Sequence, residues 1–507
     1  MRTLCALCIC ATLVLGAVAP VTFGQEATDG LPPGSRPYST VKPWQGGSTR
    51  EVGRAVASGT TIPMWSYTTT SSRDGQSYTG MMVGLSPMSS PNSTTTIPTQ
   101  IVPLILIMPD GGTFYPTAPD PCAAAQLTGT SDLTLVEQSP IFLSHAYTMN
   151  GVNVGTTQYV DAFQQANFWS LVGDKSYHTL LSAPTLTPII VHVAAGLGVT
   201  IPPGTSGRCG NLGLLADLDS FDQFVTDTLL PLLAAQGVNP TTFPIFLLSN
   251  VLLCIQGTDC GIFGYHSAVD SPPQTYAVSN FDTTGVFNSQ FLDTTAISHE
   301  VSEWMDDPLG TNPTPPWGGI GQVPGCTNNL EVADPLTGTG FPNVTMPNGY
   351  TYHLQELAFF SWFFGAPSMG AGGLFSNNGT FGENAQLCLL ALSVNTPSVR
   401  TGDTLTLTAR TTTGPTPVTV DVYIVLQLPG CSSLACLLFW QGGLNFTTTP
   451  QPVLRNWPIS PFDGPIFSYT FGGMEPVGSY AWLGAFTVPG TLNLIGGITQ
   501  APFTFSP

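Results

Sequence analysis

The chain has 507 residues, 42% of them hydrophobic and 8% charged, and its 11 basic residues stand against 30 acidic ones for a net charge of −19. This length predicts two or three domains, and the apolar share excludes a disordered chain. The charge excludes a nucleic-acid binder, which needs a basic patch, and disfavours attachment to anionic membrane surfaces.

The N-terminus reads MRTLCALCICATLVLGAVAPVTFGQ, with Arg2 ahead of an apolar run from Leu4 to about Val18 and small residues after it. That is the pattern of a secretory signal peptide over residues 1–24. The run is short for a membrane-spanning helix, which needs about 20 residues, and no later run is long enough. The mature chain is therefore expected to be secreted and to have no membrane span. Removing Cys5, Cys8 and Cys10 leaves an even number of the 11 cysteines in an oxidising compartment, which favours disulfides. Cys254 with Cys260, and Cys431 with Cys436, are near enough to close small loops. Cys122, Cys209, Cys326 and Cys388 can pair in three ways.

Residues 25–58 are rich in Gly, Pro, Ser and Thr and read as a flexible lead-in. From 59 to 387 helices and strands mix. PLILIMPDGG (103–112), PIIVHVA (188–194) and FPIFLLSN (243–250) are short apolar runs bounded by Pro or Gly, the mark of buried strands. YVDAFQQANFWSLV (159–172) and DSFDQFVTDTLLPLL (219–233) have helical spacing, with Pro231 bending or ending the second. TYAVSNF (275–281) reads as a strand, placed where an edge strand could pair with a substrate. LQELAFFSWFF (354–364) reads as a core helix. From 388 to 507, segments such as SVRTGDTLTLTAR and VTVDVYIVLQL alternate apolar and polar residues, which predicts an antiparallel, immunoglobulin-like β-sandwich. The expected architecture is thus a mixed α/β domain followed by an all-β sandwich.

The chemistry concentrates in SHEVSEWMDDP, Ser298 to Pro308. A helix is expected from about Thr294 to Met305, capped by Asp293 or Thr294 and stopped by Pro308. His299 and Glu303 lie one turn apart on one face, as two ligands of one ion must. Glu300 directly follows the first ligand. In metalloproteases with His-Glu-x-x-His, that glutamate takes a proton from the metal-bound water. Zinc accepts carboxylate oxygen, so Glu303 is permitted as a ligand of a single Zn²⁺. A second carboxylate hardens the site and weakens its preference for zinc over another divalent cation. For the third ligand, CTNNLEVADP (326–335) offers Glu331, with Asp334 placed to support His299 from behind. His353 in GYTYHLQELAFF is an alternative ligand, and Asp306 another if the helix runs that far. His266 in GYHSAV and Tyr276 are candidates for substrate contact. There is no G-x-S-x-G elbow and no phosphate-cradling loop, which argues against serine hydrolases and nucleotide enzymes.

His-Glu-x-x-Glu followed by Asp-Pro, then a Glu-x-x-Asp and a Tyr-x-x-Gln segment, resembles a group of secreted bacterial proteins with a zinc-metallopeptidase-like domain. The matching pieces are SHEVSEWMDDP, LEVADP and YTYHLQELAFFSWF, and YVDAFQQANFW and GYHSAV are similar too. A more distant likeness runs to the phosphate-induced, exordium-like secreted proteins. The resemblance covers roughly residues 100–385. It implies a zincin-like α/β domain and a secreted metallopeptidase acting on polypeptides, with His299 and Glu303 as ligands and Glu300 as base. It also carries over Glu331 and Asp334. The alternative function is a non-catalytic extracellular or cell-surface binding protein with a degenerate site.

Overall fold

Along the strand Thr94–Ile107, odd-numbered Ile97 and Ile101 enter one core while Val102, Leu104 and Leu106 enter another. Side chains of a strand alternate between faces, so this strand is covered on both. It is the centre of the computed structural model, which describes residues 9–13, 31, 35–123, 127–182, 184–203, 208–257, 259–287, 291–365, 367–383, 389–411, 418–430 and 436–507. Ile189–Val193 pairs with it in parallel on one side and Phe243–Ser249 on the other. Gln274–Phe281 follows in parallel, then Asp259–Val269 antiparallel, then Val251–Ile255, Leu212–Leu215 and Gly198–Ile201.

One face of this sheet packs the helices Tyr159–Asn167 and Thr295–Asp306 on Phe243, Ile245, Leu247 and Ala277. The opposite face packs Leu218–Leu233 on Phe246, Leu248, Tyr276 and Val278. That second helix passes through a π-turn at Val225–Leu229 just before Pro231, where an N–H is missing from the ladder.

The expected zincin-like α/β domain does not form. The molecule is mostly β, 44% strand against 16% helix, and the large sheet curls into a half-barrel. Much of the surplus strand lies in hairpins, including Met64–Thr70 with Ser77–Val83, His145–Met149 with Val152–Thr157, and Pro313–Ile320 with Val323–Asn329. These stretches are rich in Thr, Gly and Asn. Their β-branched residues suit a pleated surface, yet they lack the apolar run by which a buried strand is recognised. LQELAFFSWFF divides likewise: Thr351–Gln355 is a strand, and only Phe360–Phe364 is helical. Part of the supposed lead-in is built too. Tyr38–Lys42 pairs in parallel with Asp259–Val269, and Thr49–Ala57 is a helix opened by a Ser48–Glu51 capping box.

The C-terminal residues make two facing sheets. Leu390–Val394, Thr404–Thr411 and Phe462–Thr470 form one, and the other is centred on Thr419–Gln427, Gly478–Thr487 and Leu494–Ser506. Leu405 and Leu407 from the first share a core with Val420, Trp482 and Phe503 from the second, which is a β-sandwich.

Disulfides join Cys122 to Cys209 and Cys254 to Cys260, and Cys326 and Cys436 are disulfide-bonded as well. Cys388 and Cys431 lie outside the described residues. So does most of the expected signal peptide, although Ile9–Leu13 runs parallel to Ile189–Val193 at the outer edge of the sheet. Among the described residues no helix is long and apolar enough to cross a membrane.

Candidate metal centre

All twelve residues of the helix Thr295–Asp306 are buried. Ile297, Val301, Trp304 and Met305 sit in the core, and the Trp304 ring stacks on Phe243 with centroids 3.5 Å apart and planes 7° from parallel. The helix ends at Asp307, before Pro308. Its polar residues therefore face other protein segments rather than water. Glu303 follows His299 by four residues and Glu300 by three, so it shares a helix face with each.

His299 is held from behind by Gln355. The Gln355 side-chain amide donates to the Ala333 carbonyl (2.6 Å), which turns its Oε1 toward His299 Nδ1 at 2.9 Å. An oxygen acceptor there holds a ring proton on Nδ1 and leaves Nε2 as the nitrogen that an ion would take. That Nε2 lies 3.0 Å from Glu303 Oε2 and 3.4 Å from Asp334 Oδ1. The other Glu303 oxygen accepts the backbone N–H groups of Ala333 (3.2 Å) and Asp334 (3.1 Å). The LEVADP loop thus grips the helix through this one carboxylate.

A second histidine enters from the Asp259–Val269 strand. His266 faces the helix, whereas its neighbour Tyr265 faces the opposite core. Its Nε2 is 3.2 Å from the Asp307 carbonyl, which assigns the proton to Nε2. Its Nδ1 lies within hydrogen-bond reach of Glu300 Oε2 at 3.4 Å and is 4.0 Å from Glu303 Oε2. Gly264, two residues earlier on the same face, makes room: a side chain there would begin 2.9 Å from Glu300 Cγ.

The cluster carries more negative charge than a protein interior accepts unaided. Burial pulls the His299 pKa down, but Glu303, Asp334 and Glu300 outweigh it and the net shift is well upward. Burial drives Glu300 up. It also lifts Glu331, helped by Glu303, Asp307 and Asp334, and raises Asp334 to about 8. Glu303 alone goes down, because His299 offsets its burial. Among the described residues, buried His299 Nε2, Glu300 Oε1 and Glu331 Oε2 have no hydrogen-bond partner. His299, Glu303 and Asp334 bring ligand atoms within 4.8 Å of one another, and so do His266, Glu300 and Glu303. Imidazole nitrogen with carboxylate oxygen is a donor set that suits zinc or manganese, and the unpartnered atoms are those that a cation would satisfy.

The other expected site residues distribute as follows. Glu331 accepts from Asn329 through Oε1, while its Oε2 lies 4.0 Å from His266 Nε2. Asp334 stands on the Nε2 side of His299, among the possible ligands, and the supporting position expected of it is filled by Gln355. His353 pairs with Asp293 at 2.6 Å and joins neither group. Asp306 accepts from Gln164 (2.9 Å), is raised by burial to about 7, and also joins neither. Tyr276 projects to the opposite face of the sheet, where its hydroxyl donates to Asp222 (2.6 Å). Its strand is paired on both sides, so TYAVSNF has no free edge for a substrate. A groove of about 430 Å³ reaches Glu331 and Asp334 past Val41, Pro43, Thr311 and Asn329.

No family model matches the chain, and no curated protein matches it. Similarity to solved structures is weak. A structure concerning T cell specificity and activation by the bacterial superantigen toxic shock syndrome toxin-1 has a TM-score of 0.16 at 15% identity, covering 23% of this chain and 99% of that one. A β-glucosidase from Erythrobacter marinus has a TM-score of 0.15 at 12% identity, covering 56% of this chain and 30% of that one. A β-glucosidase from Listeria innocua in complex with glucose has 0.14 at 8%, covering 91% and 50%. Scores this low carry no argument about fold or function.

Proposed function

We propose that the protein is a secreted, metal-dependent hydrolase of peptide bonds, with Zn²⁺ as its ion. The observation that carries this reading is the unpartnered His299 Nε2, its proton placed on Nδ1 by Gln355, aimed at Glu303 and Asp334 beside an open groove. Those three residues would hold the ion. When bound, such an ion polarises a carbonyl and makes a water acidic near neutral pH. Glu300 is adjacent in sequence to His299, and its unpartnered Oε1 would take the water's proton and return it to the leaving amine. Export fits the apolar leader and the disulfides. The groove, lined by side chains of both polar and apolar character, would admit an extended polypeptide.

The test joins elemental analysis with proteolysis of an unfolded protein substrate. Purified protein is expected to carry bound zinc that His299→Ala lowers. Glu300→Gln should slow hydrolysis by about 100-fold or more. Protein that binds no divalent metal, or wild type and Glu300→Gln acting at the same rate, overturns the reading. Bound metal without hydrolysis favours the non-catalytic binding protein instead.

A further inference from the structure

Two sets of ligand atoms meet in this cluster. Glu300, Glu303 and Glu331 are at most 3% exposed and the Asp334 side chain is 14% exposed, so four carboxyl groups and two imidazoles meet out of water. His266 and His299 each turn one ring nitrogen toward these carboxyl groups and the other toward an oxygen acceptor. Buried polar atoms are almost always satisfied, so the unpartnered ones here leave room for a further cation.

The geometry offers a place for it. The two ligand groups share one member, Glu303. His299 Nε2 and His266 Nδ1 approach the same oxygen, Oε2, from two sides at 3.0 and 4.0 Å. Unpartnered atoms lie near both histidines as well, His299 Nε2 itself and Glu331 Oε2 at 4.0 Å from the His266 ring. Helix periodicity explains the shared member: position 303 is four beyond 299 and three beyond 300, so one residue serves both faces.

We infer that the site binds a pair of divalent cations bridged by Glu303, one held by His299 and Asp334, the other by His266 and Glu300 with Glu331 beside it. This rests on the metal-dependent reading above and adds a second ion to it. Carboxylate-bridged pairs lie about 3.5–4 Å apart and clamp both the attacking and the leaving atom of a hydrolysis. Glu300 enters the second set through Oε2, the oxygen nearest His266, and keeps Oε1 for the proton.

The test is stoichiometry. Chelator-stripped full-length protein is titrated with Mn²⁺ alone, with bound ion counted by elemental analysis and spin coupling followed by electron paramagnetic resonance. Two equivalents with an exchange-coupled spectrum are expected in the wild type. His266→Ala should keep one equivalent and give an uncoupled spectrum, and Glu300→Ala, at an independent position, should do the same. Circular dichroism confirms that each variant is folded, and if neither is, the wild-type count decides alone. One equivalent in the wild type overturns the pair and leaves the single-ion hydrolase standing. No bound ion overturns both.

Discussion

Glu303 occupies the position at which the common metallopeptidase helix has a second histidine, and the exchange changes what that position can do. An imidazole offers one nitrogen to an ion. A carboxylate offers two oxygens, and here Oε1 is spent on the amides of Ala333 and Asp334 while Oε2 faces both histidines. Gln355 then does for His299 what an acid was expected to do. Gln355→Leu removes the acceptor that fixes the Nδ1 proton, so metal affinity should fall about 10–100-fold while the fold persists, as read by competition with a chelator of known affinity. Gln355→Glu keeps an acceptor there and should lose less. An unchanged affinity in the leucine variant would show that the tautomer does not depend on Gln355. His299, Glu300 and Glu303 are legible in the sequence because one turn of helix fixes their relation. The support from Gln355 is not, and His266 is legible only as a candidate for substrate contact, since they arrive on strands 56 residues from His299 and 34 from Glu300 and nothing local marks their convergence.

At the scale of elements, the motif helix owes its position to packing on every side rather than to an amphipathic face. The Phe243–Trp304 stack joins it to the central sheet. Trp304→Ala should therefore cost about 3–5 kcal/mol, seen as a lower urea midpoint at unchanged slope, and a loss below 1 kcal/mol would mean that the stack does not anchor the helix. The sequence places this helix within a residue at each end, Thr294–Met305 expected against Thr295–Asp306 observed. It also locates the strands Ile189–Val193, Phe243–Ser249 and Gln274–Phe281, because continuous apolar runs between turn residues have few other uses. The aromatic run Phe360–Phe364 is helical as expected, but the helix does not reach back to Leu354 and Gln355, which end the strand Thr351–Gln355.

For the whole molecule, the C-terminal sandwich is legible from its alternation, whereas the β-dominance of the larger part is not. Its hairpins put only a few apolar side chains each into the core, such as Trp65, Met82, Tyr147 and Trp317, among many Thr, Gly and Asn, and the order in which strands pair into the curled sheet is not encoded by composition. Stability against pH carries a global signature at Asp132, which sits beneath Ser249 at the end of a core strand. Burial, then the neighbouring Asp120, raises its pKa from 3.8 to about 9. An acid whose pKa is raised by folding contributes fully below its unfolded pKa and loses that contribution as pH climbs toward the folded value. The wild type should thus lose melting temperature relative to Asp132→Asn between pH 4 and pH 9, and a pH-independent difference would contradict the assignment. The topology also governs assembly. The ligand atoms come from positions 266 to 334, their support from 355, and the groove wall from Val41 and Pro43 near the other end of the chain. Contacts so distant in sequence close late and slowly, so the cage is completed only after the sheet has collapsed around it, and an ion bound there would load as a closing step of maturation instead of a nucleus for folding.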